Sequence, residues 1–404
     1  MHYDLIVMGM GLSGLMAART AAEAGKKVLI IGKGMGCLTL FSNTIDVLGK
    51  IPEEARLKDG LSQWIQDHPD HPYSKVGLIG IDESLSSFTS LFQSPYSFQT
   101  IGDRNSFIPT GAGIMRPTYL IPDTMVAGVS GNKKALIVGF KGFRDFYAGY
   151  VANPLKWRGV TLSIPDVPNQ EISATALSRW IEKRSFRERI GEEVKKRLNG
   201  ETSVGFPALL GVNDPMGVKM DLEEKIGVEV FEIPTLPPSI PGMRIFNRFK
   251  EWLIRRGVNI LSGYSISKVS LKGRRCEGIH VHHPPVSTLY SADHFILATG
   301  RFMGGGLKAD RRRIFEPVFN LPVSQPGSQE KWFEKSFFDE HPVHRVGILT
   351  DSSLRPIGEA GKVIFENVRA AGTILAGHYC LDEKSREGIE IATGYWAAKN
   401  TFQI

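Results

Sequence analysis

The chain has 404 residues, too long for one small domain, and its 42% of hydrophobic residues is ordinary for a folded protein with an ample core. No stretch holds 18 consecutive apolar residues, and the opening MHYD lacks a basic segment before an apolar one, so a cytoplasmic chain with no transmembrane segment of its own is expected. The formal charge of +7, with a pI near 9.2, fits an anionic substrate, an acidic partner, an anionic surface or RNA without choosing among them.

The first 34 residues carry the clearest pattern. In YDLIVMGMGLSGLMAARTAAEAGKKVLIIGKG (3–34), Leu5–Met8 reads as a strand, Leu12–Ala24 as a helix of small residues, and Val28–Ile31 as a second strand. Gly9, Gly11 and Gly14 form G-x-G-x-x-G between the first strand and the helix, the layout of a nucleotide-binding β-α-β unit. Gly9 allows the tight turn, Gly11 lets a pyrophosphate approach the backbone, and Gly14 lets helix and strand lie close. The free amides of Leu12 and Ser13 and the positive end of the helix then face the phosphate. The carboxylate that ordinarily binds an adenosine ribose is missing: its position, eighteen residues after Gly14, is Gly32. Lys33 beside it favours a 2′-phosphate or is simply solvated.

The next segment, GKGMGCLTLFSNTIDVLGK (32–50), offers Ser42, Asn43 and Thr44 as hydrogen-bonding candidates, or as a polar turn before the apolar IDVL. Cys37 reads as a small filler, and Cys37, Cys276 and Cys380 are too few and too scattered for a disulfide framework, a C-x-x-C site or the four thiolates of an iron–sulfur cluster. HPDHP (68–72) reads as a turn-rich loop. RWIEKRSFRERIGEEVKKRL (179–198) alternates charges at helical spacing around Trp180, Ile181, Phe186, Ile190, Val194 and Leu198, an amphipathic surface helix rather than a nucleic-acid stripe. IPTLPPSIPGMR (233–244) reads as a link between two bodies, followed by a helix, MRIFNRFKEWLIRRG (243–257), closed by Gly257.

Strands follow, the last ending in Ala298, Thr299 and Gly300; LKADRRRIF (307–315) is a basic loop. Near the end, ENVRAAGTILAGHY (366–379) leads into SREGIEIATGYWAAKN (385–400). His280, His282 and His283 form HVHH, with His280 and His282 on one strand face and no third metal ligand nearby in sequence. With no G-x-S-x-G and no P-loop, an acyl-transfer hydrolase or an NTPase is not expected.

The order of these segments, with HPYSKVG (71–77), IPTGAGIMRPTYLIP (108–122), IPGMRIFNRF (240–249) and ATGRFMGGGL (298–307), resembles the B subunit of anaerobic glycerol-3-phosphate dehydrogenase over nearly the whole chain. The resemblance implies an α/β flavoprotein with a Rossmann-like FAD/NAD(P)-binding fold and an inserted second α+β domain. It places the dinucleotide-binding domain at 1–50, 240–310 and 345–404 and the insertion at 51–239 and 311–344. It also implies oxidation of sn-glycerol 3-phosphate to dihydroxyacetone phosphate, with electrons passed toward a quinone. The expected partners are a catalytic flavoprotein A subunit and a membrane-attached iron–sulfur C subunit, which would hold this chain at the inner face of the membrane.

By the same resemblance, Thr299 and Gly300 bring backbone close to the cofactor, Gly372 lies by the ribityl and phosphate, and the helix around Gly388 and Ile389 aims its N-terminus at the isoalloxazine. The family's B subunit is described as binding FMN, which has no adenosine and so needs no carboxylate at Gly32; FAD with one ribose hydrogen bond missing is the alternative. Oxidising the alcohol calls for a base and cations for the phosphate. His378, after the glycine turn, is the candidate base, and Arg116, Arg244 and Arg355 are the candidate anion clamps, each also readable as a structural arginine. A scaffold with this fold that supports a catalytic partner is the non-catalytic alternative.

Overall fold

The computed structural model describes residues 2–129, 134–164, 171–283 and 286–404. It divides into two compact units: residues 1–37, 50–91 and 248–404 form the first, and 38–49 with 92–247 the second.

In the first unit, strand β1 (His2–Met8), helix α1 (Leu12–Glu23) and strand β2 (Val28–Gly32) form the β-α-β unit that the glycine pattern predicts. All four side chains from Leu5 to Met8 are buried, as in a parallel strand covered on both faces. The seven-stranded sheet runs in the order 259–262, β2, β1, 286–297, 275–283 and 266–272, with 368–370 also paired to 286–297. Pairing is parallel around β1 and antiparallel among 266–272, 275–283 and 286–297. The closing helix Arg386–Phe402 packs on α1: a Cβ at Gly394 would collide with the Ser13 carbonyl. Pro72–Leu91, two helical segments meeting at Gly77 (φ +75°), covers the same layer, and a Cβ at Gly80 would lie 3.0 Å from the Trp396 ring. The Arg19 guanidinium ties this segment to α1 through Ser90 Oγ (2.9 Å) and Glu23 (2.7 Å).

The division differs from the sequence expectation. Residues 51–91 and 311–344, expected in the insertion, cluster with the first unit, and 38–49 and 240–247, expected in the dinucleotide-binding domain, go with the second. Residues 72–91 join the first unit because their apolar face, including Val76, Ile81 and Phe88, is buried there. The proline-rich link is also shorter than expected, since the helix begins at Ile240 and runs through the unit boundary to Arg255.

The second unit is built on a parallel sheet in the order 229–233, 203–207, 135–140 and 158–162, beside short antiparallel ladders at 98–99/121–122 and 106–109/115–118. Ala135–Phe140 and Ser203–Pro207 are buried throughout, the continuous apolar run of central parallel strands. The expected helix at 179–198 is two, Ala174–Ile181 and Arg184–Lys195. Arg187 Nη1 donates to the carbonyls of Ile181 (3.1 Å) and Glu182 (2.6 Å), while Glu182 Oε1 accepts from the amides of Val212 and Asn213, so long-range partners hold the break open.

Candidate functional site

The glycines after β1 differ in what requires them. Gly9 has φ +120°, and a Cβ there would collide with the Ala298 carbonyl; a Cβ at Gly14 would collide with the Gly9 carbonyl. Gly11 has an ordinary backbone (φ −73°, ψ 178°), and a Cβ there would meet nothing within 4 Å. Nothing in the chain itself therefore demands glycine at position 11. Gly11 is the N-cap of α1, and no side chain caps the helix, so its first amides lack the usual intramolecular partner.

The end of β2 explains the missing carboxylate. A Cβ at Gly32 would lie 2.9 Å from both the backbone nitrogen and Cγ of Met10, so Met10 fills the place from which an acid would reach a ribose. Lys33 is exposed, with Nζ 4.0 Å from the Cβ position of Gly305. After the strand 286–297, Gly300 has φ +70° and Thr299 Oγ1 is buried without a hydrogen-bond partner among the described residues. Gly372 (φ +81°) lies against the Ser13 side chain and donates its amide to Thr393 Oγ1 at 2.8 Å. The closing helix has no side-chain cap either: its N-cap, Ser385, donates its hydroxyl to Glu383 at 3.0 Å instead, leaving Gly388 and Ile389 buried in an uncapped first turn. Both of these helix N-termini belong to one unit.

That first turn carries a buried charge cluster which sequence reading missed. Arg386 donates to Glu387 and, at 3.2 Å, to Glu390; the three residues are 4%, 1% and 6% exposed. The second oxygen of Glu387 has no hydrogen-bond partner among the described residues. Burial, opposed by Arg386 and aided by Glu387, pushes the Glu390 carboxyl up to about 7. Burial and Glu390 also raise the Cys37 thiol. The only sequence signal was the i, i+4 spacing of Arg386 and Glu390.

His378 is completely buried, and neither ring nitrogen makes a hydrogen bond of standard geometry among the described residues. Burial, Arg301 and His71 hold it well below the ordinary histidine range, hence neutral. Its ring meets His71 edge-on at 6.2 Å. His71, assigned from sequence to a loop, is also fully buried: Nδ1 accepts the Tyr73 amide (3.1 Å), which leaves Nε2 to donate to Glu383 (3.2 Å). Burial lowers His71, and for Glu383 the His71, Tyr379 and Ser385 donors outweigh burial and keep the carboxylate ionised. A residue that takes a proton from substrate must reach it. His378, as placed, is enclosed by protein.

The arginines are not free clamps. Arg244 in the second unit is buried, with its fork on both Glu232 oxygens (2.6 and 2.8 Å) and Nε on the Gly211 carbonyl (2.8 Å), which corrects its assignment to a phosphate. Arg116, in the same unit, pairs with Asp46; Arg355, in the first unit, pairs with Asp351 at 2.7 Å. Ser42, Asn43 and Thr44 fall in the second unit, where Asn43 Nδ2 donates to the carbonyls of Leu38 (2.7 Å) and Phe41 (2.6 Å) and to Ser239 Oγ (2.9 Å), the turn reading; Asn43 Oδ1 has no hydrogen-bond partner among the described residues. His280 shares a 2.9 Å hydrogen bond with Ser270 Oγ.

Comparison with known proteins gives the family. The profile of the FAD binding domain family covers residues 4–380. A protein of Halobacterium salinarum, named as the probable B subunit of anaerobic glycerol-3-phosphate dehydrogenase, is 31% identical over 98% of this chain and 96% of its own length. The B subunit of the anaerobic glycerol-3-phosphate dehydrogenase of Vibrio cholerae is 31% identical over 99% and 96%. The chain belongs to this B-subunit family. The crystal structure of 3-ketosteroid delta1-dehydrogenase from Sterolibacterium denitrificans matches the whole of both chains with a TM-score of 0.50 at 11% identity, which establishes likeness of fold. The residues present fit a flavin: a glycine kept open at Gly11, uncapped amides on α1 and the closing helix, and the unpartnered Thr299 hydroxyl supply what its phosphate and polar edge need. Among the described residues no helix is long and apolar enough to cross a membrane.

Proposed function

We propose that this chain is the flavin-bearing subunit of an anaerobic glycerol-3-phosphate dehydrogenase complex that oxidises sn-glycerol 3-phosphate to dihydroxyacetone phosphate and passes the electrons to a quinone or an iron–sulfur partner. The observation that carries the reading is Gly11, which no backbone angle and no neighbour requires, at the head of an uncapped helix. In this proposal the amides from Gly11 to Gly14 hold the flavin phosphate, with the Gly9 amide already bonded to the Ile31 carbonyl (2.7 Å), Thr299, Gly300 and Gly372 line the cofactor, and the first turn around Gly388 and Ile389 stabilises negative charge. When bound, the flavin is the two-electron acceptor for the alcohol carbon.

FMN is the proposed flavin, because Met10 leaves no room at Gly32 for an adenosine-ribose carboxylate; the family match to an FAD binding domain is the argument for FAD. The partners proposed are the A and C subunits, through which the chain would sit at the membrane. A second reading has a specific observation in its favour. His378 is enclosed, and Arg116, Arg244 and Arg355 already have carboxylate partners, which favours a chain that relays electrons or supports a catalytic partner over one that oxidises the substrate itself.

Purifying the chain with its partners, releasing the cofactor by denaturation and identifying it by mass tests both points. FMN at one per chain is expected. FAD would leave the class intact but remove the argument from Gly32, and no flavin would favour the scaffold.

A further inference from the structure

Residues 332–343 of the first unit form a closed loop with an unusual surface. Its base is pinned: Trp332 is only 5% exposed, and the Val343 amide donates to the Trp332 carbonyl at 3.1 Å. Its interior is braced by His341, whose Nδ1 accepts the Glu334 amide (3.0 Å), so that Nε2 carries the proton and donates to the Phe337 carbonyl (3.1 Å). The Asp339 amide reaches the Ser336 carbonyl at 3.2 Å. Behind the loop, His344 stacks on Tyr379 at 4.4 Å, and Arg345 bonds both Glu340 and Glu383. This built knuckle presents Phe337 and Phe338 to solvent at 84% and 94% exposure, edge to face at 5.3 Å, with Phe333 at 58% beside them in sequence. Two adjacent phenylalanines held outward on a loop braced by its own hydrogen bonds form an exposed apolar patch of the kind that marks interaction surfaces.

The charges indicate which body. Residues 329–341 hold Glu330, Glu334, Asp339 and Glu340 against Lys331 and Lys335, and Glu340 is taken by Arg345, so Glu330, Glu334 and Asp339 carry a small acidic excess on a chain whose overall formal charge is +7. An acidic rim repels an anionic bilayer and complements a basic protein surface. We propose that the Phe337–Phe338 knuckle is a docking point for a partner subunit, one that offers an apolar pocket rimmed by lysine or arginine. The proposal rests on the reading of the chain as a subunit of a dehydrogenase complex, and deepens it by naming the surface through which the chain is held.

The test is co-production of the tagged chain with the A and C subunits of the proposed complex, followed by affinity purification. With Phe337→Ser and Phe338→Ser together, recovery of a partner subunit is expected to fall tenfold or more, while the flavin content and melting temperature of the tagged chain stay at wild-type values. Asp339→Lys alone is expected to slow association several-fold at low salt and little at high salt, a change that lost folding would not produce. Hydrogen exchange of 332–343 is expected to slow in the wild-type complex. Wild-type recovery in the double variant, with unchanged exchange in the loop, overturns the docking proposal and leaves the dehydrogenase reading standing. A wild-type chain that retains neither subunit overturns both. Sedimentation of the chain with phosphatidylglycerol vesicles, lost in the double variant, would overturn the proposal in favour of a membrane.

Discussion

Two buried arginine–carboxylate clusters, one in each unit, differ in completeness. Around Arg244 everything is matched: both Glu232 oxygens meet the guanidinium fork, the third donor direction meets Gly211, and Glu232 Oε1 also accepts the Leu210 amide at 2.8 Å. Around Arg386 one guanidinium serves two carboxylates, an oxygen of Glu387 is left over, and Glu390 is pushed up to about 7. A saturated cluster is a brace. An unsaturated one, buried in the first turn of a helix that no side chain caps, holds a charge balance that can change when something binds nearby.

The largest effect should come from the brace. Arg244→Met leaves Glu232 ionised and buried, so a loss of about 3–5 kcal/mol of stability is expected, read by denaturant unfolding, and Arg244→Met with Glu232→Met should recover most of it. A double variant as unstable as the single one would show that the pair does more than neutralise itself.

The Arg386 cluster should instead reveal itself through pH. The Glu390 carboxyl is raised from an ordinary value of 4.5 to about 7, so its contribution to stability is complete below about pH 4.5 and is lost as pH rises through about 7. Glu390→Gln should match the wild type near pH 4.5 and be more stable by about 3 kcal/mol at pH 8, the free-energy equivalent of that shift. A difference that does not vary with pH would mean that Glu390 is ionised throughout and that the two clusters are of one kind.

Smaller differences should separate structural from ligand-holding positions. Gly14→Ala forces a Cβ onto the Gly9 carbonyl and should cost about 1–3 kcal/mol. Gly11→Val should cost the flavin-free chain no more than about 1 kcal/mol, the loss of a good N-cap residue, yet lower the flavin retained on purification at least tenfold. If Gly11→Val keeps its flavin, the phosphate is not held there. Smallest, Arg187→Ala should cost about 1 kcal/mol by freeing the carbonyls of Ile181 and Glu182 and the Asp221 carboxylate, again by denaturant unfolding.

What was legible in the sequence was local. The strand-turn-helix-strand of residues 2–32 follows from apolar runs and glycine spacing, and the close of the 240–255 helix from Gly257, because neighbours in sequence set those conformations. The meaning of Gly32 was only half legible: the absent carboxylate shows in the sequence, but Met10 across the turn does not. His71 read as a loop residue because its partner, Glu383, lies more than three hundred positions away. Arg244 read as a free cation for a similar reason, since a guanidinium looks the same in sequence whether it faces solvent or Glu232.

The sequence by itself therefore determined the glycine turn, the β-α-β unit and, through motif order, membership of the B-subunit family. Tertiary structure alone decided which unit residues 50–91 join, which arginines are engaged, that His378 is enclosed, and that Arg386, Glu387 and Glu390 share one buried charge. The reason is physical. Backbone conformation is governed by the few residues on either side, whereas the charge state and availability of a side chain depend on desolvation and on partners that only the folded chain brings within hydrogen-bond distance.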